Sequence, residues 1–281
     1  MKKYYAVLFC IVGWALTASA QGEIDLQPKI FYRNEWSVAI MFNSNGFGGN
    51  YRYGKRVDAQ NKRLWEVDFA YMKHPKENKS YSEISGAKYV YGKKNIAFDL
   101  RVASGRQREI FRKYDVGGIA VRYFYNYGAA VVLLKPIYYN VGEFNLVYTP
   151  VGNYYQWLPY EKPEKFDPEW YNRTVRIDKR ASFFKGFNEL QAVPGIFGKF
   201  GFNFEYSKQD KIIHALECGV ILEAFAKKVE IMDFSSPLYT VGDVEKNRQL
   251  FLTLFVSYRF GHIIDPYEVK KKRERSEGIS Y

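Results

Sequence analysis

Apolar and polar residues alternate with a period of two over most of the chain, and this pattern is the feature that most restricts its fold. In residues 36–43, 64–72 and 250–260, every second residue is large and apolar, and the residues between are mostly smaller or polar. Successive side chains of a β-strand point to opposite faces, so the pattern predicts two-faced strands. Nine such segments can be recognised: 36–43, 48–57, 63–73, 94–103, 117–127, 129–138, 196–207, 211–225 and 249–260.

Two properties of these segments favour a transmembrane barrel over a soluble sandwich with its rings in the core. The apolar face stays large and aromatic over 9–11 residues, the length that a tilted strand needs to cross a bilayer. The opposite face carries charged residues in mid-strand, which a barrel would turn inward. The aromatic-ended segment 250–260 also fits the closing strand of an outer-membrane barrel. We therefore predict an all-β fold, an antiparallel transmembrane β-barrel.

Composition excludes several other classes. A mean hydropathy of −0.37 is too low for a polytopic helical membrane protein, and an aromatic content of 19% is too high for a disordered chain. Two cysteines cannot form a disulfide-rich scaffold or an all-cysteine metal site. The chain is basic, with a formal charge of +12, but it has no nucleic-acid-binding motif, so we predict no nucleic-acid partner.

The first twenty residues have the features of a secretory signal. Lys2 and Lys3 precede an apolar run at 4–16, and Ala18 and Ala20 are small residues before Gln21. These features predict a signal peptide over 1–20 with cleavage before Gln21, rather than a membrane anchor, for which the run is too short. We expect a barrel over 21–261 and a charged periplasmic tail over 262–281. The basic run 270–275 in this tail could contact anionic lipid or an acidic partner, or have no role.

A bacterial barrel with both termini in the periplasm needs an even number of strands. Segment 24–32 supplies a tenth strand, so we predict about ten, with eight or twelve as alternatives. On this count the tight turns 44–47, 127–128 and 208–210 are periplasmic, and the long connections 104–116, 139–195 and 226–248 are outside the cell. The connection 74–93 does not fit this scheme, because it is long yet periplasmic.

Charged residues of both signs are predicted to point into the barrel. A barrel of eight to ten strands has room inside only for side chains, so we expect these charges to form a hydrogen-bonded network rather than a proton or ion path. The predicted network consists of Arg52, Glu66, Asp68, Asp99, Arg101, Arg122, Lys199, Glu205, Glu217, Glu223 and Arg259.

The connection 139–195 is rich in aromatic residues and prolines. A connection of this length and composition is expected to fold over the barrel mouth, with a short helix at 182–190. It serves either as a docking surface for a protein or glycan or only as a cap that seals the barrel. The candidate partner surface consists of Tyr154, Tyr155, Trp157, Tyr160, Trp170 and Tyr171.

Motifs for catalysis are lacking in the sequence. His74, His214 and His262 are the three histidines, and on the ten-strand count all lie near periplasmic ends. His214 shares the lipid-facing parity of Leu216, so we predict an interfacial ring rather than a catalytic base. No serine-hydrolase, zinc-protease or phosphate-loop motif occurs. We predict no enzyme activity, no catalytic or metal-binding residue and no cofactor.

Short motifs along the mature chain carry a family resemblance. They include Trp65-Glu66-Val67-Asp68 and Tyr258-Arg259-Phe260-Gly261, and the full set is 42–48, 52–55, 65–68, 72–77, 91–93, 105–107, 117–118, 121–125, 135–136, 184–187, 194–199 and 258–261. In these motifs the chain resembles uncharacterised outer-membrane β-barrel proteins of the Bacteroidota. The resemblance implies an outer-membrane location in a Gram-negative cell and does not imply an activity.

Three functions stay open at this point. The leading hypothesis is a structural or interaction subunit of a larger outer-membrane complex, whose partners are outer-membrane lipid and other proteins. The first alternative is a narrow channel or transporter for small solutes, which needs a continuous wet lumen. The second is a lipid-modifying enzyme, which needs a histidine or an acidic pair at the outer rim.

Overall fold

The computed structural model describes residues 34–82, 85–114, 117–149, 154–167, 170, 176–208, 211–233 and 247–264. The predicted signal peptide, the predicted first strand at 24–32 and most of the predicted tail lie outside these residues. The strands are β1 (Asn34–Asn43), β2 (Gly46–Arg56), β3 (Asn61–Met72), β4 (Lys79–Tyr81), β5 (Lys88–Val90), β6 (Asn95–Phe111), β7 (Ala120–Pro136), β8 (Tyr138–Thr149), β9 (Tyr154–Lys165), β10 (Arg176–Arg180), β11 (Gln191–Glu205), β12 (Ile212–Phe225) and β13 (Leu250–Ile264).

Eight of these strands form a closed antiparallel barrel. Their order around the wall is β1-β13-β12-β11-β7-β6-β3-β2. β1 closes the barrel by pairing with β13 along its whole length, from Asn34 opposite Ile264 to Asn43 opposite Phe255. Closure pairs the first strand with the last and leaves no barrel strand with an open edge. The predicted fold class is therefore confirmed, with eight strands.

The predicted count of ten was too high, and one turn is the main reason. Segments 117–127 and 129–138 are not two strands separated by a turn at 127–128. They are the single strand β7, which pairs with β6 and β11 straight through Gly128. Joining them reduces the nine predicted strands to the eight that form the barrel.

The alternation in the sequence separates an inner from an outer face. Odd-numbered residues of β12, for example, point inward and are buried except Gly219, whereas Leu216 and Leu222 point outward and are exposed. Exposed apolar side chains occur on the outer face of all eight barrel strands. One from each strand in chain order is Ile40, Phe47, Phe69, Leu100, Tyr127, Ile196, Leu222 and Leu254.

With the exception of the two-residue turn 44–45, the connections sort by length between the two ends of the barrel. One end, here the short-turn end, has connections 57–60, 112–119 and 206–211 together with the start of β1 and the end of β13. The other, the long-loop end, has the two-residue turn 44–45 and the connections 73–94, 137–190 and 226–249. Counting eight strands moves 73–94 to the long-loop end, so the misfit of the ten-strand scheme disappears. The ten-strand scheme assigned the turn at 44–47 and the connection 104–116 to the wrong ends of the barrel. Most of 104–116 belongs to β6.

The connection between β7 and β11 carries a small sheet of its own, here the cap sheet, with strand order β10-β8-β9. Its apolar side packs on the outer wall of the barrel rather than over the mouth. Ile137, Tyr139, Val141, Phe166, Trp170 and Ile177 form a core with Ile96 and Phe98 of β6. Both β6 residues have outward parity, since Ala97 and Asp99 beside them are buried in the lumen. A short hairpin, β4–β5, lies beside this core through Tyr89.

Two boundaries differ from the predictions. The helix expected at 182–190 is only a turn with one 3-10 segment, Phe187–Glu189, entered through Gly186 at a positive φ of 92°. β13 continues to Ile264, three residues beyond the predicted end of the barrel. Among the described residues, no helix is long and apolar enough to cross a membrane.

Candidate functional site

The eleven residues predicted to form a lumen network all lie on inward faces of barrel strands. Glu217 is completely buried, and Arg52, Glu66, Asp68, Asp99, Arg101, Lys199, Glu223 and Arg259 are nearly so. Arg122 and Glu205 lie closer to the short-turn end and are slightly more exposed. The structure therefore brings the whole predicted set into one interior, in three groups, of which the first two are joined through Asp68.

The first group is centred on Glu217 of β12. Its carboxylate accepts hydrogen bonds from Arg52 Nη1 at 2.6 Å, Arg259 Nε at 2.8 Å and Asn203 Nδ2 at 2.8 Å. Ser257 Oγ donates to it at 3.2 Å. These donors come from β2, β11 and β13, so one carboxylate links strands on opposite sides of the barrel. Hydrogen bonds that involve a charged group are stronger than hydrogen bonds between two neutral groups.

Glu66 of β3 extends this group across the lumen. It accepts from Arg52 Nε at 2.5 Å and from Asn126 Nδ2 at 3.0 Å, and it pairs with Lys199. Lys199 Nζ also lies 3.1 Å from Asp68 Oδ2. Arg52 therefore bridges two carboxylates, and its guanidinium lies 4.5 Å from the centre of the Phe124 ring. A bridged arrangement keeps each buried charge next to an opposite one, as burial requires.

Arg101 of β6 organises the second group. Its Nη1 lies 3.2 Å from Glu223 Oε1, and its Nε lies 3.2 Å from Asp99 Oδ2 and 3.7 Å from Asp68 Oδ2. Asp68 thus joins this group to the one around Glu66. One cation faces three acids here.

The third group lies toward the short-turn end. Arg122 pairs with Glu205 and lies 3.3 Å from Glu109, and Lys113 Nζ donates to Glu205 at 3.0 Å. Lys62 pairs with Glu35 in the same region. Sequence reasoning missed Lys62, Glu35, Glu109 and Lys113. Lys62 has the same inward parity as Glu66, and Glu35 has the same inward parity as Ser37. The alternation could therefore have identified Lys62 and Glu35.

An apolar plug fills the lumen above the charged groups at the long-loop end. Val229, Ile231 and Met232, from the connection after β12, are buried against Leu134 and Phe225 of the barrel wall. Backbone and side-chain bonds hold the segment in place. Lys94 N donates to Ile231 O at 3.0 Å, and Asn95 Nδ2 donates to Glu230 O at 2.7 Å. Described residues therefore fill the interior with an apolar layer and a paired-charge layer.

The predicted partner surface is only partly described. Tyr154, Tyr155, Trp157 and Tyr160 lie in β9, where Tyr155 is opposite Tyr148 of β8, but their side chains lie outside the description. Tyr171 lies outside it altogether. Trp170 is 4% exposed and packs edge-on against Phe166 and Tyr139. Its ring belongs to the core beneath the cap sheet, so assigning it to an accessible surface was wrong.

A polar cluster ties the 3-10 segment to the cap sheet. Tyr138 Oη donates to Glu189 Oε1 at 2.8 Å, and Lys165 pairs with the same carboxylate. The bonds from Lys165 and Tyr138 lower the pKa of Glu189, and the bond to Glu189 raises the pKa of Lys165. These two bonds anchor the turn between Ala181 and Leu190 near its end, at Glu189. Phe184 in this turn is nevertheless 79% exposed.

The histidines occupy both ends of the barrel. His214 points outward at the short-turn end, where its Nδ1 lies 3.0 Å from Tyr258 Oη and its ring stacks on Tyr206. This position agrees with an interfacial ring. His262 is also at that end. His74, however, is buried at the long-loop end, where its Nδ1 accepts from Lys76 N at 3.2 Å, so its predicted location was wrong.

The fold was compared with known proteins. It is similar to two crystal structures of Ail, the attachment invasion locus protein of Yersinia pestis, one of them in complex with the heparin analogue sucrose octasulfate. Sequence identity is 6%, 84% of this chain and 100% of Ail are covered, and the TM-scores are 0.38 and 0.37. Neisserial surface protein A is 9% identical over 82% of this chain and 96% of its own, with a TM-score of 0.33. No protein-family model and no curated protein matches the chain.

Proposed function

We propose that the protein is a β-barrel of the outer membrane of a Gram-negative bacterium, where it acts as a non-enzymatic structural or interaction subunit of a larger complex. The exterior supports the membrane location. Apolar side chains are exposed around all eight strands, whereas soluble monomers seldom expose contiguous apolar patches above a few hundred Å². Charges inside and rings outside are the arrangement that lipid favours.

The two ends indicate an orientation. Bacterial outer-membrane barrels have short periplasmic turns and longer outer loops. On that rule the short-turn end, with the start of β1 and the end of β13, faces the periplasm. The cap sheet and the connections 73–94 and 226–249 then face the cell exterior. The resemblance to Bacteroidota barrel proteins supports the same compartment.

The single observation that carries the subunit role is the filled lumen. Glu217, Arg52 and Arg259 are joined across the barrel, and Val229, Ile231 and Met232 close it above them. These charge-assisted bonds connect strands across the lumen. What the barrel then offers to other molecules is its outer surface, including the cap sheet.

Native co-purification from detergent-solubilised outer membrane tests the subunit role. We expect a partner protein at a fixed stoichiometry with the wild type and its loss with the double variant Tyr155→Ser/Trp157→Ser in β9. Phe184→Ser is the matched control, because it removes an exposed ring at the same end but outside the cap sheet. Purification of the protein alone as a monomer would contradict the subunit role. It would not contradict the barrel fold.

Planar-bilayer recording separates the sealed barrel from the alternative of a narrow channel. The intact protein is expected to insert without steady single-channel steps, because the plug and the paired charges occupy the lumen. Reproducible steps of constant size would show a continuous wet path and would support the channel instead.

The absence of enzyme activity is part of the proposal and needs its own measurement. His74→Ala removes a histidine at the long-loop end, and His214→Ala removes one at the short-turn end. We expect the lipid A composition of cells that express either variant to equal that of cells expressing the wild type and of cells lacking the gene. A wild-type-specific change in lipid A that either variant abolishes would establish a lipid-modifying enzyme.

A further inference from the structure

A basic cleft lies on the outer wall of the barrel at the long-loop end. It has a volume of about 250 Å³ and lies where the end of β3 meets the β4–β5 hairpin and β10. Tyr71 and Lys73 form its barrel side, Lys79 and Lys88 come from the hairpin, and Arg180 comes from the cap sheet. Three separate parts of the chain thus meet around one concave surface.

The cleft concentrates positive charge. Among the described residues that line it, five are basic and one, Glu77, is acidic. Glu77 is already paired, because Lys93 Nζ lies 2.6 Å from its Oε2 and 2.8 Å from Tyr71 Oη, and both partners are buried. The net charge of the lining is therefore +4. It comes from the exposed side chains of Lys73, Lys79, Lys88 and Arg180.

A buried framework holds the base of the cleft in shape. Tyr139 Oη donates to Val90 O at 2.8 Å and lies 2.9 Å from Lys93 O, so the cap sheet is bonded to the end of the hairpin and to the connection that follows it. The Lys93 ammonium also lies 5.3 Å from the centre of the Tyr71 ring. These contacts lie beneath the exposed lysines that line the cleft.

The cleft continues directly into the apolar wall of the barrel. Tyr71 has outward parity, and its ring lies 5.6 Å from that of Phe47, which is exposed. Phe69, the next outward residue of β3, is also exposed and stacks on Phe98 at 5.8 Å. A ligand that extends from the cleft along the wall would therefore meet positive charge at one end and aromatic rings at the other.

We infer that this cleft binds the phosphorylated headgroup of an outer-leaflet lipid, with the acyl chains lying along Phe47 and Phe69. The inference rests on the proposed membrane location and orientation, which put the cleft at the level of the outer headgroups. Several lysines and one arginine can donate hydrogen bonds to phosphate oxygens. The adjoining aromatic rings provide an apolar surface for acyl chains. A free soluble anion would use only the basic half of this surface.

Native mass spectrometry with lipid A as the probe tests the site. The full-length protein is purified in a neutral detergent and titrated with bisphosphorylated lipid A. The variant Lys73→Gln/Lys79→Gln/Lys88→Gln should bind at least about tenfold more weakly, since each substitution removes one positive charge next to the anionic headgroup. The control Lys185→Gln/Lys227→Gln/Lys228→Gln removes three exposed lysines at the same end but outside the cleft, and should change the affinity less than about twofold.

Two further arms identify the ligand source and the type of interaction. Inorganic phosphate should not displace lipid A, because it lacks the acyl chains; full displacement by phosphate would overturn the lipid assignment. Raising the salt concentration from about 0.1 M to about 1 M shortens the screening length from about 10 Å to about 3 Å and should weaken binding of the wild type more than that of the cleft variant. Equal losses in the cleft and control variants would overturn the inference.

Failure of the site can be told apart from failure of the proposed function. Each variant is reconstituted into neutral phosphatidylcholine vesicles, and barrel formation is checked by heat-modifiable migration in gels. A protein that inserts as a barrel and shows no preference for lipid A refutes only the cleft. A protein that does not insert refutes the outer-membrane function as well.

Discussion

Glu217 shows how single residues stabilise the inside of this barrel. It is completely buried and accepts bonds from Arg52, Arg259 and two neutral donors. Its negative charge compensates two guanidinium groups that have little access to water. Replacing only one partner of such a group leaves the others charged and buried, which costs more than removing all of them.

We therefore expect the substitution Glu217→Gln to lower the free energy of unfolding by about 3 kcal/mol. Urea titration of the protein in detergent micelles, followed by tryptophan fluorescence, measures the change. Glu230→Gln is the matched control, since Glu230 pairs with Lys94 at 2.9 Å but both side chains are about half exposed. The control should change the free energy of unfolding by less than about 1 kcal/mol, and equal effects of the two substitutions would contradict the role of burial.

Asp58 links stability to pH at the short-turn end. Its carboxylate accepts bonds from the Asn61 side chain and from the backbone amides of Gln60 and Asn61. These bonds lower the pKa of Asp58 in the folded protein. The stability they supply is present above the unfolded-state pKa of about 3.9 and is lost as the pH falls through the lower folded-state value.

Asp58→Asn keeps an acceptor oxygen but cannot titrate. As the pH falls from about 5 to about 2, we expect the melting temperature of the wild type to decrease more than that of this variant. Comparing the two proteins at each pH cancels the contributions of the other carboxylates. A difference in melting temperature that stays constant over this range would show that the Asp58 bonds do not depend on ionisation.

At the scale of the element, Gly128 explains why β7 can run unbroken through the wall. A Cβ atom at this position would lie 1.9 Å from Val102 O and 2.8 Å from Ala103 Cα of the neighbouring strand. Backbone atoms of β6 occupy the space that any side chain would need. The glycine thus allows the close approach of β6 and β7 rather than marking a turn.

Gly128→Ala is expected to lower the free energy of unfolding by about 1–3 kcal/mol, because the added methyl group forces two paired strands apart. Gly198→Ala in β11 is the control, since a Cβ there meets no atom within 4 Å. Urea unfolding of both variants supplies the comparison. Destabilisation by Gly198→Ala as large as that by Gly128→Ala would mean that loss of glycine, not crowding, is responsible.

The same glycine shows what the sequence could and could not reveal about the elements. Alternation predicted the barrel strands, because one face of each must be apolar. It could not distinguish a glycine that bends a chain from one that lets two strands approach, so β7 was divided. The polar stretch after Val102 was interpreted as a loop, yet Gln107 is buried inside the barrel as part of β6.

The lumen site was predictable for a related reason. A charged residue at inward parity in mid-strand has to lie inside a closed barrel, whatever its partners are. This reasoning placed Glu66, Glu217 and Arg259 correctly. The plug could not be found in this way, because Val229, Ile231 and Met232 follow no strand periodicity and become buried only when their connection folds back into the mouth.

At the scale of the whole molecule, closure assigns every barrel side chain to one of two environments. Burial of Arg52 and Glu217 is tolerable because they neutralise one another inside. On the proposed membrane location, lipid covers the exposed Phe69 and Leu254. Both ends then carry distinct surfaces. The short-turn end has the short connections, the start of β1 and the end of β13. The long-loop end carries the cap sheet and the basic cleft.

On the proposed outer-membrane location, this asymmetry predicts the direction of the barrel in the membrane. Lys227→Cys places a thiol on an exposed residue of the long-loop end, and Gln60→Cys places one on an exposed residue of the short-turn end. Both are made in a Cys218→Ala background, which removes the thiol on the outer wall. In intact Gram-negative cells a membrane-impermeant maleimide should label the first variant and not the second, because only the long-loop end faces the medium. Breaking the outer membrane should expose the second thiol, and labelling of the Gln60→Cys variant alone in intact cells would reverse the orientation and remove the basic cleft from the outer leaflet.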